Sequence, residues 1–351
     1  MTVRNAVLAG SSGLDEVSQF DDSWRVMNPR VSSHQRMKQL KTLHAINGTP
    51  LSPLCFGCMQ FGGTADERQS RAMFEACRAV QINFFDTAHT YTAGASERFL
   101  GDLIRQEREQ IVLASKVGYT GGSGSVNIVR QFDESRSRLA LDTVDVLYLH
   151  RWDPETALEE TFETLAQLQQ SGSVRSIGVS NFAAWQVMKA QAVAHSFGTR
   201  IDIVQPMYSL VTRQAEVEIF PMAVSEGVKV APYSPLAAGL LTGKYNDGGT
   251  GRLSSDKRYA QRYGQDWMKQ TAAGFSTIAA SLGIAPTTLA VAWAAQHPAV
   301  TAPIISARNV EQLQPSLAAM NMKLAPETYH RIEAISQRPA PATDRLEEAI
   351  D

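Results

Sequence analysis

The stretch VDVLYLHRWDPETALEETFETLAQLQQSGSVRSIGVS, residues 144–180, contains one complete strand–helix–strand unit. Residues 144–150 and 174–180 are short runs rich in Val, Ile and Leu. They are largely apolar rather than alternating, which indicates strands covered on both faces. Between them, Asp153 is a candidate N-cap and Pro154 a candidate first residue of a helix that ends at Gln170. Two such strands joined through a helix predict a parallel β/α/β unit.

The same alternation recurs along the chain. Six further strand candidates are LCFGCM (54–59), INFFDTA (82–88), IVLASK (111–116), DIVQPMY (202–208), VKVAPYS (228–234) and APIIS (302–306). Further helix candidates are residues 66–80, 183–195, 214–226, 287–296 and 310–320. Eight strands alternating with helices predict an α/β fold of the (β/α)8 TIM-barrel type, with a doubly wound open sheet as the alternative. The Rossmann fingerprint G-x-G-x-x-G does not occur in the sequence.

The composition excludes several classes of protein. The 351 residues are 44% hydrophobic and 19% charged, which is typical of a globular enzyme rather than a disordered chain. The net charge is −2, and the Lys and Arg residues are scattered, so we expect no nucleic-acid partner. No apolar run approaches the roughly 18 residues that span a bilayer, so we expect no membrane partner. The composition leaves the oligomeric state open.

The ends of the chain and its cysteines give further expectations. We predict a polar leader over residues 1–36, the barrel over 37–337 and a C-terminal tail over 338–351. Three cysteines are too few for a disulfide framework, which favours a cytoplasmic location. Cys55 and Cys58 form a C-x-x-C motif, which is typical of zinc-binding and redox-active sites. Since their spacing along a strand puts them on opposite faces, with no second Cys/His pair nearby, we favour packing and predict no metal site.

Polar side chains interrupt the apolar strands, and they do so at the carboxyl ends. In chain order they are Asp86, Lys116, His150, Ser180 with Asn181, Gln205 and Tyr233. In a (β/α)8 barrel these ends form one face, and that face carries the active site. Burying an Asp or a Lys costs free energy unless the charge is paired. A purely structural role for the whole set of polar residues is therefore disfavoured.

The residue types at this face suit the reduction of a carbonyl group. Asp86 and Lys116 on neighbouring strands can form a buried ion pair, and Tyr91 follows Asp86 by five residues. An ordinary Tyr has a pKa of about 10, and a nearby ammonium lowers it. His150 adds a second group that can donate to a carbonyl oxygen. The set therefore predicts a general acid beside an electrophilic pocket.

Several motifs carry a resemblance to a known family. The stretch FFDTAHTYTAGASERFLGDLI (84–104) resembles the aldo-keto reductase signature, in which D-T-A-x-x-Y is followed by G-x-S-E and L-G. Five later stretches of this sequence resemble later blocks of that family and occur in the same order. They are LASKVGY (113–119), DVLYLHRWDP (145–154), IGVSNF (177–182), VQPMYSLV (204–211) and PYSPLAAGLLTGKY (232–245). The similarity extends from about residue 41 to residue 320, which is most of the chain.

The resemblance implies NADPH-dependent reduction of aldehydes or ketones on a (β/α)8 barrel, with NADP(H) bound in extended form across the carboxyl face. By that likeness Tyr91 is the proton donor, Lys116 lowers its pKa, Asp86 holds Lys116, and His150 orients the substrate carbonyl. The likeness also assigns Ser180, Asn181 and Gln205 to the nicotinamide carboxamide and Tyr233 to stacking on the nicotinamide ring. It assigns to the pyrophosphate Ser234, Leu236, Gly239 and Lys244, where backbone amides and a lysine suit an anion.

The block IISARNVEQLQPSL (304–317) resembles the family's adenosine-binding segment. The resemblance implies that Ser306 and Arg308 contact the 2′-phosphate and that Gln312 also lies in the cofactor site. An Arg at this position favours NADP over NAD, because the guanidinium can bind a phosphate with two hydrogen bonds. The sequence departs from the family after Gln312: Pro315 and Ser316 stand where Glu-Asn is common, so the usual adenine-binding Asn is missing.

The sequence leaves more than one interpretation open for two regions and for the function. Phe61, His89 and Trp152 either line the substrate pocket or pack at its rim. Residues 245–265 form either a flap over the cofactor phosphates, with Arg252 or Arg258, or a solvated insertion. The short Gly-rich segment 118–127 predicts an open site. The alternative functions are an NADPH-binding regulatory subunit with little turnover and a barrel enzyme with unrelated chemistry.

Overall fold

Eight parallel strands form one sheet in the residues that the computed structural model describes, which are 43–246, 248–345 and 347. In chain order, β1 to β8 are Cys55–Gly57, Phe84–Asp86, Val112–Val117, Val144–Leu149, Val174–Ser180, Ile201–Gln205, Lys229–Val230 and Ile304–Ile305. Each overlaps one of the eight predicted runs. The predicted leader, 1–36, and residues 37–42 lie outside the described residues, as do residues 346 and 348–351 of the predicted tail.

The sheet closes on itself. Its strand order is β7-β6-β5-β4-β3-β2-β1-β8, so each strand from β1 to β7 pairs with its neighbour in sequence, and β8 pairs with β1. Between the two ends of that order, the amide of Thr301 donates to Val230 O at 2.8 Å and the amide of Ile304 donates to Pro232 O at 2.8 Å. These bonds join the segments that carry β7 and β8, and the predicted (β/α)8 barrel is confirmed.

Helices surround the barrel. Within the described residues the α-helices are Glu67–Ala79, Ala95–Ile104, Ser125–Leu139, Leu158–Gln170, Ala184–Ser196, Ile219–Glu226, Arg252–Ser255, Lys257–Tyr263, Asp266–Leu282, Pro286–Gln296, Val310–Leu317 and Pro326–Glu333. The first illustrates how they form: the Asp66 side chain caps it by accepting from the amide of Gln69. Its apolar residues Met73, Phe74 and Cys77 recur at helical spacing and are buried.

Two predicted helix starts are wrong: the helix predicted from residue 214 begins at Ile219, after a 3-10 turn Gln214–Glu216, and the helix predicted from Pro154 also begins late. The helix after β4 begins at Leu158, four residues later than predicted, and its N-cap is Ala157. The Asp153 carboxylate accepts instead from the amide of Ser123 at 2.7 Å and from the Thr156 hydroxyl at 2.6 Å. Asp153 therefore fixes the Gly-rich segment after β3 rather than capping the helix.

The interior of the barrel is filled by side chains from alternate strand positions. A buried cluster there includes Phe84, Ala114, Val146, Tyr148 and Ile203. Gly178 on β5 makes room for the largest of them, because a Cβ at that position would lie 2.4 Å from the Tyr148 ring. The described interior of the barrel is therefore a packed core rather than a pore.

The amino ends of the strands are covered by residues 43–50. His44 pairs with Pro50 in an antiparallel bridge. Arg175 donates to His44 O at 3.0 Å and to the Asp145 carboxylate at 2.6 Å, and Arg108 lies 2.7 Å from the same carboxylate. These contacts close the face opposite to the strand ends that carry the predicted site.

The described residues contain neither a candidate metal cluster nor a single helix that could span a membrane. No group of three or more His, Cys, Asp or Glu side chains in those residues could hold a metal ion, and Cys55, Cys58 and Cys77 are free and buried. None of the described helices is by itself long and apolar enough to cross a membrane. One pair, Asp266–Leu282 with Pro286–Gln296, passes by length and composition only when joined across a 101° bend.

Candidate active site

The candidate site lies at the carboxyl ends of the strands, where the inward-facing positions change from apolar to polar. Asp86, Lys116 and Gln205 are at or near the ends of β2, β3 and β6, and His150 directly follows β4. Each is two residues past a buried side chain of the barrel interior, namely Phe84, Ala114, Ile203 and Tyr148. Since side chains alternate along a strand, the period that fills the barrel also directs these four polar groups inward.

The Lys116 ammonium is the centre of the site. It is fully buried and donates to the Asp86 carboxylate, to Thr87 O at 2.8 Å and to the Tyr91 hydroxyl at 3.4 Å. An ammonium has three N–H groups, so these three partners use its full donor capacity. The predicted contact of Tyr91 and Asp86 with Lys116 is therefore present in the structure.

The ion pair is supported from across the barrel. The Gln205 amide donates to the second oxygen of the Asp86 carboxylate at 2.9 Å. Burial by itself pulls the pKa of Lys116 down, but the Asp86 carboxylate and the hydrogen bonds outweigh it, and the pKa of Lys116 is raised. Lys116 therefore stays an ammonium at neutral pH.

Tyr91 begins a short 3-10 turn, Tyr91–Gly94, five residues after the end of β2. Burial raises the pKa of Tyr91, and the Lys116 ammonium opposes this without reversing it. The expectation from the sequence that Lys116 lowers the pKa of Tyr91 is right for the effect of Lys116 alone. It is wrong for the net pKa of Tyr91, which is raised. The phenol remains protonated at neutral pH, which is the form that can donate a proton.

The turn that carries Tyr91 is held by polar contacts of the helix that follows it. The Ser96 hydroxyl donates to Cys58 O at 2.8 Å and lies 2.8 Å from the Thr87 hydroxyl. The buried Glu97 carboxylate accepts from the Ser115 hydroxyl at 2.7 Å and lies 3.2 Å from the Arg138 guanidinium. The G-x-S-E part of the motif therefore fixes the backbone on both sides of Tyr91.

His150 completes the polar group. Its ring centroid is 5.8 Å from that of Tyr91, with the planes at 81°. Burial, followed by the charges of Lys116 and Arg151, lowers the pKa of His150 from 6.5 to about 3. The imidazole is therefore neutral at physiological pH and carries one N–H that can be donated to a carbonyl oxygen.

The residues expected at the nicotinamide end form one hydrogen-bonded chain. The Ser180 hydroxyl donates to Gln205 O at 2.9 Å, and the Asn181 amide donates to His150 O at 2.9 Å. The Tyr233 hydroxyl in turn donates to the Asn181 amide oxygen at 2.8 Å. The structure thus brings these four predicted cofactor residues next to the Tyr91 group.

The segment expected at the pyrophosphate has an unusual backbone. Ser234, Ala237 and Ala238 have φ values of 63°, 48° and 56°, and Gly239 has 94°. A Cβ on Gly239 would lie 3.0 Å from the exposed Lys244 side chain, so glycine allows that lysine to approach. Leu236 lies in the same turn. Successive amides in such conformations make concave anion sites, and an exposed ammonium lies beside this one.

The residues expected at the adenosine end meet beyond β8. The Ser306 hydroxyl donates to Gly57 O at 2.8 Å, Arg308 is exposed, and the Arg308 amide is 3.4 Å from the Gln312 side-chain oxygen. Asn309 caps the helix Val310–Leu317, in which Pro315 and Ser316 lie. Ser316 is buried, so it offers no surface group in place of the missing Asn.

Two of the three expected pocket residues have structural contacts instead. Phe61 is fully buried, and its ring packs 5.6 Å from that of Phe56. The His89 ring lies 2.7 Å from the Glu134 carboxylate, and its amide donates to Lys116 O at 3.0 Å. Both observations favour the packing alternative. Trp152 is half-buried and contacts other aromatic rings.

Part of the predicted loop 245–265 is helical, as Arg252–Ser255 and Lys257–Tyr263. The guanidinium groups of Arg252 and Arg262 each lie 5.6 Å from the centre of the Tyr259 ring. Arg258, one of the two suggested phosphate ligands, is paired with Asp256 at 2.8 Å. Arg252 thus packs against Tyr259. The role of residues 245–265 as a flap over the cofactor phosphates stays a prediction.

Two contacts of the site were not predicted from the sequence: the hydrogen bond between Gln205 and Asp86, and the packing of the Tyr119 ring 4.9 Å from the His150 ring. Tyr119 had a local signal, because it follows Lys116 by three residues at the same strand end. The bond between Gln205 and Asp86 joins segments far apart in sequence and left no local pattern.

Fold and site together define a (β/α)8-barrel protein with an ionisable Tyr–Lys–Asp–His group at its carboxyl face. A sequence model of the Aldo/keto reductase family matches residues 53–337, and the chain belongs to that family. Its relatives include oxidoreductases.

Three relatives illustrate the range of this family. A probable voltage-gated potassium channel subunit beta of Arabidopsis thaliana is 32% identical over 317 residues, covering 83% of this chain and 94% of the relative. The uncharacterized oxidoreductase YrpG of Bacillus subtilis is 33% identical over 318 residues, covering 84% and 95%. The norsolorinic acid reductase stcV of Emericella nidulans is 30% identical over 322 residues, covering 84% and 80%.

Proposed function

We propose that this protein reduces an aldehyde or a ketone to the alcohol, with NADPH as hydride donor and Tyr91 as proton donor. One observation carries the proposal: the buried Lys116 ammonium is shared by Asp86, Thr87 O and the Tyr91 hydroxyl. A buried ion pair alone would need no phenol. An ammonium next to a phenol stabilises the phenolate that remains after the proton has left.

The roles of the side chains follow from their charge states. NADPH, when bound, would supply the hydride that the carbonyl carbon needs. His150 is neutral and donates its N–H to the carbonyl oxygen, which orients and polarises the substrate. The Tyr91 hydroxyl, whose pKa is raised by burial, gives its proton to that oxygen. Lys116, held by Asp86, stabilises the negative charge of the phenolate that remains on Tyr91.

The residues at the carboxyl face fit an extended dinucleotide. Ser180, Asn181 and Gln205 offer amide and hydroxyl groups for a carboxamide, and Tyr233 offers an aromatic ring beside them. The positive-φ segment around Gly239, with Lys244, suits a pyrophosphate. At the far end, the exposed Arg308 beside Ser306 and Gln312 suits a 2′-phosphate, which supports NADP over NAD.

The test is the removal of one hydroxyl. In Tyr91→Phe we expect kcat for an aldehyde with NADPH, followed at 340 nm, to fall about 10²- to 10⁴-fold, the usual contribution of a positioned general acid. Tyr329→Phe is the control, since Tyr329 lies on the outer helix Pro326–Glu333 and packs on Trp293. Full turnover in Tyr91→Phe would exclude Tyr91 as the proton donor.

A second candidate function is an NADPH-binding regulatory subunit with little turnover. It is supported by relatives described as probable voltage-gated potassium channel subunits beta, in Arabidopsis thaliana and in Oryza sativa. The assay at 340 nm distinguishes the two candidates. A regulatory subunit would bind NADPH, seen as quenching of protein fluorescence, without steady consumption of cofactor across a panel of aldehydes and ketones.

The proposed setting is the cytoplasm, with a small carbonyl compound as the partner. The cysteines at positions 55, 58 and 77 are free thiols, which suits a reducing compartment. Burial raises the pKa of Cys77 above its ordinary value, so its thiol is poorly reactive. These thiols therefore take no part in the proposed chemistry.

A further inference from the structure

Large aromatic side chains are exposed at the open face of the barrel, next to the candidate site. Trp185 is 60% exposed and Tyr119 is 42% exposed. Tyr119 lies two residues past β3, and Trp185 lies in the first turn of the helix Ala184–Ser196, just after β5. Exposed rings at the rim of a polar site are typical of a ligand-binding surface.

The first part of this surface joins the reacting groups directly. The Tyr119 ring centroid is 4.9 Å from that of His150, at an interplanar angle of 53°. The Arg151 guanidinium lies over the Tyr119 ring, 5.2 Å from its centre. This cation–π contact orients the ring although much of it is open to solvent. A substrate whose carbonyl oxygen meets His150 therefore has the Tyr119 ring beside it.

The second part continues outward from the same stretch of chain. Trp152 follows His150 by two residues, and its ring lies 5.2 Å from that of Phe182 at 85° and 5.7 Å from that of Trp185 at 60°. Phe182 is buried and Trp152 is half-buried, so Trp185 is the exposed end of this group of rings. Residues 150–152 connect the two parts, with the reactive imidazole at one end.

We propose that Tyr119, Trp152 and Trp185, the aromatic rim, bind the planar aromatic portion of a carbonyl substrate whose C=O group is held by Tyr91 and His150. This inference rests on the proposed function and specifies its substrate class. Indole and phenol rings bind flat rings through offset-stacked or edge-to-face contacts. The rim ends at Trp185, which is 60% exposed and open to contact with a ring of the substrate.

The experiment compares a fused-ring aldehyde with a small aliphatic one. Steady-state reduction of 2-naphthaldehyde and of propanal is measured with NADPH for the wild type, Trp185→Ala, Trp185→Phe and Val224→Ala. Val224 is also exposed, at 67%, but lies on the helix Ile219–Glu226 and serves as the control for loss of an apolar surface group. Since Trp185 is an exposed side chain, its replacement leaves the core packing intact.

For Trp185→Ala we expect kcat/KM with 2-naphthaldehyde to fall about tenfold, mainly through KM, because a contact made equally in ground and transition state affects binding. The values with propanal should stay within about twofold of wild type, since propanal has no ring to stack. Trp185→Phe should recover most of the loss, and Val224→Ala should behave as wild type. Equal changes for both aldehydes, or none for 2-naphthaldehyde, would overturn the inference.

A binding measurement separates this inference from the proposed function. Binding of 2-naphthoate, which has the ring but no reducible carbonyl, is measured by calorimetry with NADP present. Weaker binding in Trp185→Ala, together with no turnover of either aldehyde by the wild type, would support the aromatic rim and refute the reductase. Turnover of both aldehydes with 2-naphthoate binding that is independent of Trp185 would refute the rim and support the reductase.

Discussion

The low pKa of His150 predicts a specific loss of stability in mild acid. The folded protein holds this imidazole neutral, with a pKa lowered from 6.5 to about 3 by burial and by the charges of Lys116 and Arg151. The unfolded chain, in contrast, takes up a proton at His150 near its ordinary pKa of about 6.5. Below that pH the unfolded state therefore binds one proton more than the folded state at this position, and acid favours unfolding.

The size of this effect follows from the two pKa values. His150 contributes its stability in full above pH 6.5, and the contribution is lost as the pH falls towards 3. One pKa unit corresponds to about 1.4 kcal/mol, so the loss at His150 between pH 7 and pH 5 is about 2 kcal/mol. The complete loss, reached near pH 3, is about 5 kcal/mol.

Urea unfolding at pH 7 and at pH 5 tests this value, with His150→Asn as the matched variant. Asparagine is of similar size and does not titrate, and the other six histidines are the same in both proteins. We expect the free energy of unfolding to fall by about 2 kcal/mol more in the wild type than in His150→Asn. If the two proteins lose the same amount, the reasoning is refuted, and the folded state accepts the proton on His150.

The remaining predictions concern packing and cofactor choice. Gly178→Ala places a methyl group against the Tyr148 ring and should lower the free energy of unfolding by about 1–3 kcal/mol, whereas Gly274→Ala, in an open helical position, should raise it by up to about 1 kcal/mol. Chemical denaturation checks both, and equal effects would contradict the packing argument. Arg308→Ala should raise KM for NADPH about tenfold or more and leave KM for NADH unchanged, while Arg331→Ala should change neither. Equal losses with both cofactors would argue against a 2′-phosphate at Arg308.

The strands and the ends of the strands could be predicted because their signals are local. A strand buried on both faces needs an apolar run, and runs such as 111–116 and 144–150 overlap strands Val112–Val117 and Val144–Leu149. Burial of both faces also makes a polar residue at a strand end conspicuous. Lys116 and His150 therefore stand out in the sequence as candidate site residues.

The features that escaped prediction depend on partners distant in sequence. Asp153 has the composition of a helix N-cap, but its carboxylate accepts from the amide of Ser123, 30 residues earlier. The segment that contains Lys257–Tyr263 is polar and has Gly residues nearby, which indicates a loop, yet Tyr263 is fully buried. The net rise in the pKa of Tyr91 depends on burial, which residue types alone do not give.

The bond between Gln205 and Asp86 determines when the candidate site is completed during folding. It joins β2 to β6 across 119 residues of sequence, so the Asp86 carboxylate obtains its second partner only when the intervening strands are in place. Such long-range contacts form late, because the entropy of closing a long loop is lost before the contact can offset it. Recovery of catalysis during refolding should therefore lag behind recovery of helical signal and report the closure of the barrel.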